Sequence, residues 1–164
     1  MTNQTRKFST IIWEFITQYK NESDDFIKKN LKGALKTTLQ KMTDQPVNYV
    51  SKGVLELCNA REIDPFSLLW PQRNILGKDE KGRSLLMWEH TTPLAELFNT
   101  LVECSSYSEV LDVLESYSGV CWITRQEDDK LNRSGFRSKR PEGWRNAYAK
   151  CGIEIICKCY YGRI

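Results

Sequence analysis

The chain has 164 residues, 40% hydrophobic and 27% charged, with nine glycines and five prolines. These proportions suit one soluble globular domain and exclude a collagen-like, coiled-coil or low-complexity chain. The net charge of +3 is unevenly spread: residues 1–44 carry +3, residues 45–120 carry −5 and residues 121–164 carry +5, a pattern that suggests a polyanion-facing end and a cation-binding centre.

In chain order, Phe8, Ile11, Ile12, Phe15, Ile16 and Tyr19 fall at helical spacing over residues 7–20. Ser23-Asp24-Asp25 then opens a second helix over 23–43, with Phe26, Ile27, Leu31, Leu35, Leu39 and Met42 on one face. Asp44-Gln45-Pro46 breaks it. A third helix is expected over 51–61, stopped by Asp64-Pro65. The turn cluster Lys78-Asp79-Glu80-Lys81-Gly82 precedes the apolar run Arg83–Trp88, which predicts a hairpin near 74–90. Helices are expected from Leu94, with Pro93 in the first turn, and over 108–117. Val120-Cys121-Trp122-Ile123 reads as a short buried strand. Thr124 and Glu127 have capping-box spacing for a helix to about Asn132, ended near Gly135. A short helix over 146–150 and a strand over 153–160 close the chain. The expected fold is α+β: a helix-rich single domain with a small antiparallel sheet, in which a helical part, 1–62, packs on an α+β part, 63–164.

No apolar run approaches the ~20 residues needed to cross a bilayer. No secretory apolar core follows Met1, so a cytoplasmic protein is expected. The six cysteines then suit reduced thiols better than disulfides. Cys151, Cys157 and Cys159 are the one group to consider for structural zinc. They contain no Cys-x-x-Cys pair, which disfavours it.

His90 is the sole histidine. It follows Glu89 where a strand hands over to a helix. An imidazole takes a proton near neutral pH, and a carboxylate can hold a hard divalent cation. Together they can activate a water and neutralise charge on a scissile phosphate. The competing structural reading makes Glu89 a helix-capping group, His90 a half-buried hydrogen-bonded residue and Thr92 the N-cap before Pro93.

Trp88-Glu89-His90-Thr91-Thr92-Pro93 resembles the acidic-His-x-x-Pro core of the HNH, or His-Me finger, nucleases. The resemblance spans about six residues. It implies His90 as general base, Glu89 as a metal-site residue and Asn99 as the later polar ligand, with magnesium as the cation. A different nuclease pattern, that of the PD-(D/E)XK enzymes, is matched locally by Asp79-Glu80-Lys81 with Asp64 or Glu56 upstream. That segment reads as a turn, which would not hold a carboxylate still.

The stretch 133–145 is the most basic in the chain. Arg133, Arg137, Lys139, Arg140 and Arg145 stand against Glu142 alone, with Phe136 and Trp144 interleaved. Guanidinium groups bind phosphates and aromatic faces stack on bases, so these cations together with Trp144 are the expected nucleic-acid contacts. The leading reading is a metal-dependent DNA endonuclease of restriction or mobile-element type, with Glu89 and His90 at the site. The alternatives are a non-enzymatic nucleic-acid-binding module and a protein-interaction or inhibitor protein. A homodimer is compatible with the first, although the sequence shows no interface.

Overall fold

The computed structural model describes residues 3–42, 47–116 and 119–160. In chain order the elements are α1 (Asn3–Asn21), α2 (Asp25–Met42), β1 (Tyr49–Ser51), α3 (Lys52–Asn59), β2 (Leu86–His90), α4 (Leu94–Glu103), α5 (Tyr107–Ser116), β3 (Val120–Thr124), α6 (Arg125–Arg133), α7 (Gly143–Lys150) and β4 (Ile155–Cys157). Short 3-10 turns occupy Pro65–Ser67, Trp70–Gln72 and Lys158–Tyr160. The class is α+β, as the sequence predicts. The expected break at Asp44-Gln45-Pro46 lies outside the described residues. No helix among them is long and apolar enough to cross a membrane.

The chain forms two compact units built from interleaved segments, 1–44 with 94–118 and 45–93 with 119–164. Grouping by contact therefore differs from the chain-order grouping at residue 62: α3 belongs with the sheet, and α4 and α5 belong with the first two helices.

The first unit is all helical. Ile12 and Ile16 lie one turn apart on α1, as Leu35 and Leu39 do on α2, so each pair forms a single ridge. Both ridges are buried with Leu97, Phe98 and Leu101 of α4 and Val110 and Leu114 of α5. Each such side chain stabilises the unit by about 1.5–3 kcal/mol. Asp24 caps α2 by accepting from the Phe26 and Ile27 amides at 2.8 and 3.1 Å.

The second unit carries a four-stranded sheet in the order β2-β3-β1-β4. It is mixed rather than antiparallel, because β1 runs parallel to β3 (Tyr49↔Cys121, Val50↔Trp122). The strand β1 lies in three residues, 49–51, that the sequence reading assigned to the helix start and its approach. The predicted hairpin is also corrected. A tight turn does stand at 78–84, with a single bridge between Lys78 and Ser84. The strand that follows it, however, pairs with β3, from Leu86↔Thr124 to His90↔Val120.

Successive side chains of a strand point to opposite faces, and β3 uses both. Val120 and Trp122 join Val50, Val54, Phe66 and Leu86 in one core, while Cys121 and Ile123 join Leu131, Trp144, Tyr148 and Ile153 in another. The parallel neighbours β1 and β3 end alike. Ser51 and Thr124 are extended N-caps whose side chains accept from the Val54 and Glu127 amides, and each starts a helix at once. The capping box at Thr124 and Glu127 is present.

Candidate nucleic-acid interface

Cross-strand partners share a face of the sheet. Glu89 opposes Cys121 and His90 opposes Val120, so the two side chains of the motif project to opposite faces. Glu89 stands over the core that holds Tyr148 and Trp144. There the guanidinium of Arg140 meets it, donating from Nη2 to Glu89 Oε1. Arg140 Nη1 also donates to the main-chain oxygens of His90 at 2.7 Å and Thr91 at 2.5 Å. The Arg140 side chain is 1% exposed and that of Glu89 is 19% exposed. Burial raises the Glu89 carboxyl above its ordinary range, with Arg140 opposing that shift. The guanidinium carbon also lies 5.1 Å from the Tyr148 ring centroid. One arginine therefore fastens three consecutive residues, 89–91, to the stretch that follows α6. Thr91 is tied a second time, through its amide and hydroxyl to Gly119 O at 3.0 and 2.9 Å.

The groups expected to hold a metal do not fit one. The Glu89 carboxylate is engaged by Arg140, His90 points to the other face, and Asn99 is an exposed residue of α4 in the helical unit. Among the described residues, no three His, Cys, Asp or Glu side chains gather as an ion site. Asp79, considered with Lys81 as an alternative acid, is used by its own turn. Its carboxylate accepts from the Lys81 and Arg83 amides at 3.0 and 2.8 Å and from Arg83 Nε at 2.8 Å. Asp64 caps the 3-10 turn at Pro65 by accepting from the Phe66 amide at 3.0 Å.

The basic stretch divides into an inside and an outside. Arg140 and Trp144, both expected to contact nucleic acid, are internal: 3% and 9% of their surfaces are exposed. Trp144 packs against Tyr49 and Tyr148, with ring centroids 5.1 and 5.5 Å apart, so its faces are not offered to a base. Phe136 likewise packs against this core. Arg133, Arg137, Lys139 and Arg145 are exposed. Arg145 lies over the Trp144 ring at 4.3 Å. Glu142, the one acid in the stretch, binds Lys150 at 2.6 Å. A positive φ of 80° at Gly143 starts α7, a conformation glycine adopts without strain.

Sequence reasoning missed the anchoring role of Arg140. Its only local signal is position: it directly precedes Pro141, between two exposed cations and a tryptophan that is itself buried. Comparison with protein-family models, with curated proteins and with solved structures finds no match.

Proposed function

We propose that the chain is a nucleic-acid-binding module whose contact surface is the exposed part of residues 133–145. The observation that carries this reading is the division of labour within that stretch. Arg140 is buried and makes three bonds to residues 89–91, and it leaves Arg133, Arg137, Lys139 and Arg145 in solvent within thirteen residues of sequence. Four cations held on a fixed backbone lose little freedom when they meet phosphates, and displacing counterions from a polyanion supplies the affinity. The geometry favours binding over hydrolysis, because the carboxylate a metal site needs is engaged by Arg140.

The test is the salt dependence of DNA and RNA binding. Each phosphate contact contributes about 0.9 to the slope of log affinity against log salt on duplex DNA. The combined R137A and K139A variant is expected to shallow that slope by about 2 while the fold stays intact. An unchanged slope, or no retention of either nucleic acid at low salt, overturns the reading.

A further inference from the structure

The second unit holds a cavity that no motif of the sequence points to. It lies between the 3-10 turn Trp70–Gln72, the turn at 78–84 and strand β2, with Arg125 at the start of α6 closing one side. Its volume is about 410 Å³, within the ~300–1,000 Å³ usual for small-molecule sites. Its walls carry Arg73, Lys78 and Arg125 and no carboxylate, together with the indoles of Trp70 and Trp88.

Arg73, Trp88 and Arg125 each have neighbours that hold them. The Arg73 guanidinium carbon lies 4.0 Å from the Trp70 ring centroid, and its main-chain oxygen accepts a hydrogen bond from the Ser84 hydroxyl. Trp88 is fixed edge-on to buried Trp122, with centroids 4.7 Å apart and planes at 82°. Arg125 donates from Nε to Ser84 O at 3.3 Å and from Nη1 to Asp128 at 3.1 Å. Asp128 therefore offsets part of its charge, while Lys78 is exposed and Trp70 is 44% exposed. Arg73 and Lys78, with no carboxylate among the lining residues, favour an anion. Indole faces select a planar π-system. A cavity offering both selects a ligand in which the two are joined.

We propose that this cavity is a nucleotide subsite, taking a base against Trp70 and Trp88 and its phosphate against Arg73, Lys78 and Arg125. The choice of a nucleotide over another aromatic anion rests on the nucleic-acid reading above. The nucleotide is either free or an unstacked unit of a single strand. A duplex, whose bases are stacked inside, does not present one.

The experiment titrates the full chain with adenosine monophosphate, a single-stranded oligothymidylate, a blunt duplex and inorganic phosphate. Tryptophan fluorescence and the anisotropy of labelled strands are followed, with W70A, K78E and the R137A and K139A double variant alongside. The single strand is expected to bind at least tenfold more tightly than the duplex. W70A is expected to weaken the single strand by roughly five- to hundredfold, the range for loss of one stacked base, and to leave duplex binding unchanged. The double variant is expected to weaken both. Quenching by the mononucleotide that K78E abolishes identifies a free nucleotide as sufficient. K78E alters an exposed side chain and decides the matter should W70A fail to fold. Equal single-strand and duplex affinity, insensitive to W70A and K78E, overturns the subsite and leaves the nucleic-acid reading standing. Phosphate competing as well as the mononucleotide overturns the base contact. Absence of any strand binding overturns the nucleic-acid reading, and mononucleotide quenching then decides the cavity by itself.

Discussion

Arg140 and Glu89 are fifty-one positions apart in the chain and form an ion pair that is almost closed to solvent. Charges taken out of water are costly, and their mutual attraction offsets that cost only when the remaining hydrogen-bonding groups are satisfied. Here a second guanidinium nitrogen, Nη1, donates to two main-chain oxygens, those of His90 and Thr91. The pair therefore holds the end of β2 to the last residues of the basic loop, just ahead of α7. Arg140→Ala leaves a buried carboxylate facing no cation and is expected to lose about 3–5 kcal/mol in urea unfolding. Glu89→Gln keeps an acceptor for Nη2 and is expected to lose only about 1–3 kcal/mol. A loss below about 1 kcal/mol for Arg140→Ala would show that the pair does not hold the loop.

The exposed neighbours of Arg140 behave oppositely. Arg137 and Lys139, both just ahead of it in the chain, stand in solvent, and surface substitutions away from special features stay within about 0.5 kcal/mol. The R137A and K139A double variant is therefore expected to keep the unfolding midpoint of the parent while losing affinity for nucleic acid. A large drop in stability would place these two side chains in the fold rather than in the interface.

How far the sequence reveals this arrangement depends on the range of the forces involved. Local ones are legible. The helices follow from apolar spacing and from caps, and the Thr124–Glu127 box marks the start of α6 to the residue. The α+β class follows from those helices and from the apolar run at 120–123. Non-local pairing is less legible. A three-residue strand such as β1 has no periodicity to detect, and its place between β3 and β4 is set by partners some seventy and a hundred residues away. The partner of β2 is hidden for the same reason, since a turn followed by an apolar run signals a hairpin even where the run pairs elsewhere. The basic stretch is conspicuous as composition. Whether a given arginine faces water or a carboxylate is decided by Glu89, which composition alone does not connect to it.

Thiol reactivity is expected to follow the same inside–outside division. Cys58, Cys104 and Cys121 are buried, whereas Cys159 is exposed. Burial pushes the Cys58 thiol up to about 11, with Arg61 opposing, and raises Cys104 and Cys121 as well. The thiolate is the reactive species, so a raised thiol is slow even where reagent reaches it. With an aromatic disulfide reagent at mildly alkaline pH, Cys159 is expected to react in the folded chain and the three buried thiols only in urea. Mass spectrometry of the labelled peptides distinguishes them.

Acid sensitivity is expected to come from the turn at 78–84. The Arg83 amide, and then the guanidinium, hold the Asp79 carboxyl below the ordinary carboxylate range, and the Arg83 guanidinium does the same for Asp129. A carboxyl lowered by folding contributes stability that is complete above its unfolded value, about 4, and is lost as the pH falls through the lowered folded value. Glu89 and Asp128 are shifted the other way, first by burial. The folded chain takes up protons there before the unfolded chain does, so their effect raises stability as the pH falls towards about 4 and is level below that. The unfolding midpoint is therefore expected to fall only on the strongly acid side, and replacing Asp79 and Asp129 together by Asn is expected to flatten that limb. An acid limb of unchanged steepness would assign the sensitivity to other carboxylates.

Gly53 sits in the first turn of α3, where alanine is ordinarily worth up to about 1 kcal/mol through helix propensity. Its surroundings reverse that expectation. The Glu127 carboxylate accepts from the Ser51 hydroxyl at 2.6 Å and from the Thr124 amide at 2.7 Å, so it joins the N-caps of α3 and α6. A Cβ at residue 53 would stand 3.1 Å from Glu127 Oε1 and 3.2 Å from Thr124 Cγ2. Moving that carboxylate disturbs both caps at once, and each cap is worth about 1 kcal/mol. Gly53→Ala is therefore expected to destabilise the chain by about 1 kcal/mol net. In a Glu127→Ala background the obstructing carboxylate is gone, while the Thr124 methyl stays 3.2 Å from the added Cβ. The same substitution is then expected to cost less than in the parent chain. A gain from Gly53→Ala in the parent chain would mean that the carboxylate yields without losing its bonds. The double-mutant cycle in urea measures the coupling directly.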